Sequence, residues 1–135
     1  MKLINDTKDF LNSLSLDGEL SLPIKNFQID SRKVKKNSVF FGLTGSNDDG
    51  SIFASDAIKK GASLAIVKKK KNFSPISNSS KIIEVKSPEK CLIEAAKIAM
   101  ERYGGNIIGV TGSNGKTTTK NILNNAIYGT TKGGV

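Results

Sequence analysis

The chain has 135 residues, 37% of them hydrophobic, and carries 13 glycines and a net charge of +9. That balance suits a globular chain able to bury about two thirds of its unfolded surface without staples. A single cysteine, Cys91, and the absence of histidine exclude an intrachain disulfide, a Cys/His metal cluster and Ser-His-Asp or Cys-His catalysis.

The positive charge is lysine charge. Only Arg32 and Arg102 are arginines, aromatics make up 6% and there is no Trp. Base-edge and bidentate phosphate recognition favour Arg, so no nucleic-acid partner is expected. A solvated Lys-rich surface is the plain reading, and long-range attraction of a phosphorylated substrate is the other. No apolar run approaches the ~18 residues that span a bilayer. Met1–Phe10 interleaves Lys2, Asp6, Lys8 and Asp9 and lacks the apolar stretch of a signal peptide. No membrane insertion and a cytoplasmic location are therefore expected.

In chain order, Asp6 or Thr7 can cap a first helix over Asp6–Leu16, with Phe10, Leu11 and Leu14 on one face and Gly18 just past its end. Leu20–Asp30 is mixed, and Pro23 argues for an extended segment. Ser38–Leu43 is a short apolar, aromatic run that predicts a buried strand. Gly45–Gly50 is turn chemistry throughout. Ile52–Lys60 has helical spacing and ends at Gly61. Ala62–Val67 predicts the next strand, Lys68–Ser80 a polar loop, and Ile82–Val85 a third strand. Ser87-Pro88 reads as an N-cap followed by Pro at the first helical position of a helix running to Tyr103. Ile107–Val110 is a fourth apolar run, expected to be a strand of a sheet whose partner strands this chain does not supply, and Lys116 to Tyr128 a last helix. Alternation of helix and strand patterns predicts an α/β fold, with the linker at Gly104-Gly105-Asn106.

The chemistry concentrates in Ile107-Ile108-Gly109-Val110-Thr111-Gly112-Ser113-Asn114-Gly115-Lys116-Thr117-Thr118-Thr119. An apolar strand aims a glycine loop out of a sheet. Gly112 and Gly115 allow backbone angles that a Cβ forbids, so the loop N–H groups can converge on an anion. The helix beginning at Lys116 adds its N-terminal dipole. Lys116 would reach the β- and γ-phosphates of a nucleotide and Thr117 would ligate Mg²⁺. The strict G-x-x-x-x-G-K-[ST] template is not met, because Val110 stands five residues before Gly115. The plain alternative is a Gly-rich strand-to-helix turn that binds nothing.

The string Thr111–Thr119 resembles the ATP loop of the Mur ligases, which build the peptidoglycan precursor. A second block is similar to the N-terminal domain of two members: Asp30-Ser31-Arg32-Lys33-Val34, Ser38–Leu43, Gly45-x-x-x-Asp49-Gly50-x-x-Phe53, Ala57-Ile58-x-x-Gly61-Ala62 and Ala65-Ile66-Val67. One member adds the third amino acid to UDP-N-acetylmuramoyl-dipeptide, the other D-alanyl-D-alanine to the tripeptide. Lys120, directly after the threonines, is more similar to the D-alanyl-D-alanine-adding member. The resemblance implies a Mur-ligase-type UDP-binding domain over residues 1–104 and the start of a central ATP-binding domain over 105–135.

It also implies residue roles. ATP and Mg²⁺ would be bound by Gly112, Ser113, Asn114, Gly115, Lys116, Thr117 and Thr118, with Lys116 and Thr117 catalytic and Thr117 on the metal. The UDP-sugar would face Ser31, Ser46, Asn47, Asp48 and Asp49, with Asp49-Gly50 a turn shaping the pocket. Arg32 would pair with Asp30 or with a phosphate; a solvated turn is the alternative for Asp30-Ser31-Arg32. Members often carry His after the Asp-Gly pair, where this chain has Ser51, so any imidazole contact there is lost. The implied reaction is ATP-dependent amide formation through an acyl phosphate, by an enzyme that is monomeric when full-length. The remaining catalytic groups of the family lie beyond Val135, so the chain is expected to be an N-terminal fragment, inactive alone. A non-catalytic module binding UDP-sugar peptides or a partner protein is the competing reading.

Overall fold

Val39–Phe41 and Leu64–Val67 are unbroken apolar runs, as strands covered on both faces of a sheet tend to be. The structure, a computed structural model, describes residues 6–45, 49–69 and 80–128. Two compact units divide it, Met1–Tyr103 and Gly104–Val135. The sequence expectations at Ser46–Asp48, the middle of the Lys68–Ser80 loop and Gly129–Val135 lie outside the described residues.

The first unit is α/β. Four strands, β1 (Asn26–Gln28), β2 (Ser38–Gly42), β3 (Leu64–Lys68) and β4 (Ile82–Val85), form one sheet in the order β1-β2-β3-β4. Every neighbouring pair is parallel, with Phe27 opposite Val39, Phe40 opposite Ala65 and Ile66 opposite Ile83. Helices α1 (Thr7–Ser13), α2 (Ala54–Lys59) and α3 (Pro88–Tyr103) cover it.

Strand alternation divides the core. Val39, Phe41, Leu64 and Ile66 turn to one face with Phe10 and Leu11 of α1, and Cys91, Leu92 and Ala95 of α3 pack there. Phe40, Ala65 and Val67 turn to the other face against Ala54 and Ala57 of α2 and Val34. The small alanines let the short α2 lie close to the strands. Short polar side chains tie the irregular segments down. Buried Thr7 accepts a hydrogen bond from the Leu22 N–H at 3.0 Å and donates to the Leu20 carbonyl. Ser63 Oγ donates to the Pro23 carbonyl at 2.7 Å.

Several expectations are corrected. The first helix ends at Ser13, not Leu16. Ser15 takes φ 54°, and the Leu16 N–H returns to the Leu11 carbonyl at 2.9 Å, which closes the helix end before Gly18. Gly18 serves proximity instead: a Cβ there would sit 2.2 Å from Leu11 Cδ1. Ser15→Gly relieves left-handed strain of about 1–2 kcal/mol against an entropic cost of about 0.5–1 kcal/mol, so stability rises slightly, read as a higher urea midpoint at unchanged m-value. The Ile52–Lys60 helix opens as a 3-10 turn, Gly50–Phe53, before α2. The strand expected from Ala62 starts at Leu64, because Ala62 and Ser63 bond to Ala57 and Ser38 carbonyls in the turn. β1 lies in the segment read only as extended, since three residues carry too little pattern to stand out.

In the second unit, α4 (Lys116–Tyr128) forms as expected. Ile107–Val110 is not a strand: it has no ladder partner among the described residues, and a strand exists only by pairing. Among the described residues no helix is long and apolar enough to cross a membrane.

Candidate functional site

A parallel sheet gathers its loops at the carboxyl ends of its strands, where ligands of α/β folds bind. Asp30-Ser31 follows β1, Thr44 and Asp49 follow β2, and Ser87–Glu89 follows β4. Ser31 and Asp49, expected from separate motifs, thus stand past the carboxyl ends of neighbouring strands. Ser46, Asn47 and Asp48 lie outside the described residues.

Ser31 opens a 3-10 turn, Ser31–Lys33. Its carbonyl accepts from Lys60 Nζ at 3.2 Å, which ties the turn to the end of α2. Asp30 caps the turn through the Arg32 N–H at 3.0 Å and clasps the Arg32 side chain from both carboxylate oxygens, Oδ1 to Nε and Oδ2 to Nη2, each at 2.9 Å. Arg32 thus pairs with Asp30, of the two partners expected from sequence. The Arg32 side-chain bonds, then its N–H, hold the Asp30 carboxyl down at about 2. The sign follows: a depressed carboxyl keeps the clasp closed above its unfolded value and loses it only as pH falls through about 2. Arg32→Gln moves the Asp30 midpoint up toward the free value of 3.8, observable by carboxyl-detected NMR titration.

Asp49 is a structural pivot as well as a candidate ligand. Its Oδ1 accepts from the Ser51 N–H at 2.9 Å and caps the Gly50–Phe53 turn. Thr44 and Asp49 form an antiparallel bridge, and the Gly50 N–H donates to the Leu43 carbonyl at 2.9 Å. Gly42 and Gly50 meet backbone to backbone: a Cβ on Gly50 would lie 2.5 Å from the Leu43 oxygen, and one on Gly42 would lie 2.9 Å from the Gly50 carbonyl. Buried Ser51, which stands where family members often carry His, accepts from the Lys68 N–H at 3.1 Å. Its side chain is committed to the carboxyl end of the internal strand β3, so this position acts on the fold.

Sequence patterning assigns Glu89 no role. It sits in the first turn of α3, where Ser87-Pro88 signalled only a helix start. Glu89 Oε1 accepts from the Thr44 N–H at 2.8 Å, and Oε2 accepts from Ser87 Oγ at 2.8 Å. No local spacing rule could have found a bond across forty-five positions.

The second unit holds the glycine loop. Gly112 has φ 145° and Gly115 φ 75°, conformations that require glycine, while nothing crowds either Cα. α4 starts at Lys116, and the Thr119 N–H closes its first turn on the Gly115 carbonyl at 2.9 Å. The Lys116 ammonium folds back and donates to the Gly112 carbonyl, which holds it over the loop. Lys116, Thr117 and Lys120 line an open concavity with Ile108 and Val110. Ser113, Asn114 and Thr118 are exposed around it. A left-handed glycine pair, a lysine over the loop and a threonine in the first helical turn fit the phosphates of a nucleotide.

Comparison with known proteins bears on both units. A family profile described as "Mur ligase family, catalytic domain" matches residues 23–103. A UDP-N-acetylmuramoyl-L-alanyl-D-glutamate–2,6-diaminopimelate ligase from Clostridioides difficile is 40% identical, over 92% of this chain and 25% of that protein. Among solved structures, a MurF ligase from Thermotoga maritima in complex with ADP superposes with a TM-score of 0.63 at 34% identity, over 78% of this chain and 24% of the other. A UDP-N-acetylmuramoylalanyl-D-glutamyl-2,6-diaminopimelate–D-alanyl-D-alanyl ligase from Acinetobacter baumannii gives a TM-score of 0.71 at 25% identity, over 87% of this chain and 26% of the other. The chain spans about a quarter of the length of these relatives.

Proposed function

The chain belongs to the Mur ligase family, and from that premise we propose that it carries the UDP-substrate-binding domain and the first nucleotide-binding elements of an ATP-dependent ligase of peptidoglycan-precursor synthesis. The reading rests chiefly on the placement of Ser31 and Asp49 past the carboxyl ends of adjacent parallel strands within the matched stretch 23–103. On this reading residues 1–104 form the substrate domain, and 105–135 begin the ATP-binding domain.

Relatives near 40% identity favour the ligase that adds the third residue, diaminopimelate, to UDP-N-acetylmuramoyl-dipeptide. This shifts the preference from the D-alanyl-D-alanine-adding member, which rested on Lys120 alone. The superposition on MurF ligases keeps that member as the second reading.

Each residue's task follows from its position. The Ser31 hydroxyl, at the mouth of the sheet, donates to the uridine-diphosphate end of the substrate. Asp49 shapes the pocket by fixing the turn into α2. ATP supplies the phosphoryl group that activates a substrate carboxylate. Gly112–Gly115 would hold its phosphates through backbone N–H groups, Lys116 would neutralise charge on them, and Thr117 would offer its hydroxyl to Mg²⁺.

Calorimetric titration of residues 1–135 with UDP-N-acetylmuramoyl-dipeptide and -tripeptide tests this. Binding of either is expected, with similar affinity, because the residues named face the uridine-diphosphate end that both share. Ser31→Ala weakens it by about 0.5–1.5 kcal/mol, one hydrogen bond. Absence of heat with both ligands removes the reading.

A further inference from the structure

Glu89 does something a helix cap does not need. Ser87 already caps α3, accepting from the Lys90 N–H at 3.2 Å. One Glu89 oxygen stays with that cap through Ser87 Oγ. The other leaves the helix for the Thr44 N–H in the segment after β2, although β3 lies between β2 and β4 in the sheet. Thr44 is exposed, so water could satisfy its N–H at little cost. Hence the bond adds little to global stability. What it supplies is order: it fixes one side of the Thr44–Asp49 bridge, and Asp49 in turn holds the Ser51 N–H.

We infer that Glu89 is a positioning residue for the uridine-diphosphate end of the substrate, acting on Asp49 through the Thr44 N–H and the Thr44–Asp49 bridge. The inference rests on the functional reading above, which places the UDP site at this end of the sheet. The electrostatics agree with the geometry. The Thr44 N–H first, then the N–H of Glu89 itself and Ser87 Oγ, hold the Glu89 carboxyl below its usual range, and Lys68 at the end of β3 adds to this. The carboxylate is therefore ionised at neutral pH and its bond to Thr44 is charge-assisted.

The probe is UDP, titrated into residues 1–135, with amide hydrogen exchange read at Thr44 and Gly50. Glu89→Ala raises the UDP Kd about fivefold or more, the worth of one hydrogen bond, and speeds exchange at both amides. Glu89→Gln keeps an acceptor for Thr44 and stays within about twofold of the parent. Glu94→Ala removes an exposed carboxylate from the same helix and leaves UDP binding unchanged. Binding and bond are linked, so UDP also slows Thr44 exchange in the unaltered chain; this arm decides the matter should Glu89→Ala not fold. A Glu89→Ala protein that melts earlier but binds UDP as tightly as the parent makes Glu89 merely structural and overturns the inference. Equal weakening by Glu94→Ala, or Thr44 exchange indifferent to UDP, overturns it too. No UDP binding by the unaltered chain is a different failure: it removes the UDP site itself, and this inference with it.

Discussion

Phe41→Ala lowers the unfolding free energy by about 3–5 kcal/mol, the largest single loss expected in the sheet unit. Phe41 is fully buried in β2, in contact with the rings of Phe10 at 6.4 Å and Phe27 at 6.3 Å between centroids. Truncation removes a buried aromatic and leaves a cavity between α1, α3 and the sheet, which close packing cannot refill without shifting a strand. Phe27 provides the internal comparison. Its ring is 48% exposed on β1, so Phe27→Ala forfeits roughly half the transfer term and opens no closed cavity. Urea unfolding followed by circular dichroism separates the two. Equal losses would show that the Phe10–Phe27–Phe41 cluster, not burial, sets the cost. Phe41 stands next to Gly42, so its loss also disturbs the strand end that leads into Thr44 and the candidate substrate site.

Gly50→Ala is expected to cost about 1–3 kcal/mol and to abolish most UDP binding in the protein that still folds. The added methyl would lie 2.5 Å from the Leu43 carbonyl oxygen and 2.9 Å from its nitrogen. Both are backbone atoms of the segment leaving β2, so no flexible side chain can swing aside. The backbones must part, and the Gly50 N–H to Leu43 carbonyl bond and the Thr44–Asp49 bridge are the contacts in the way. Gly61→Ala makes an informative contrast. There the strain comes from a φ of 101° at the far end of α2, and the nearest atom is Lys36 Cα at 3.2 Å. It lowers stability but spares UDP binding. A Gly50→Ala protein with parental UDP affinity would show that the close approach does not shape the site.

Much of this was legible in the residues alone. Local patterning sufficed wherever an element's cause was local. The Ser38–Leu43 run gave β2, Ile82–Val85 gave β4, and Ser87-Pro88 marked the start of α3. Gly112, Gly115 and Lys116 announced a loop whose positive φ values follow from having no Cβ. The two motif blocks likewise point to the family from sequence alone, because a Gly-Lys-Thr loop and the Asp-Ser-Arg turn are short-range patterns. Tertiary structure decided what depends on partners distant in sequence. Ladder pairing made a strand of Asn26–Gln28 and withheld one from Ile107–Val110, since a strand's backbone groups are satisfied only by a neighbour. Packing against Leu11 turned Gly18 from a helix stop into a point of close approach, and left the stop to Ser15. The all-parallel order β1-β2-β3-β4 then brought Ser31 and Asp49 to one end of the sheet. It also carried Glu89 to Thr44, because side chains remote along the chain meet only after the crossovers have laid their strands side by side.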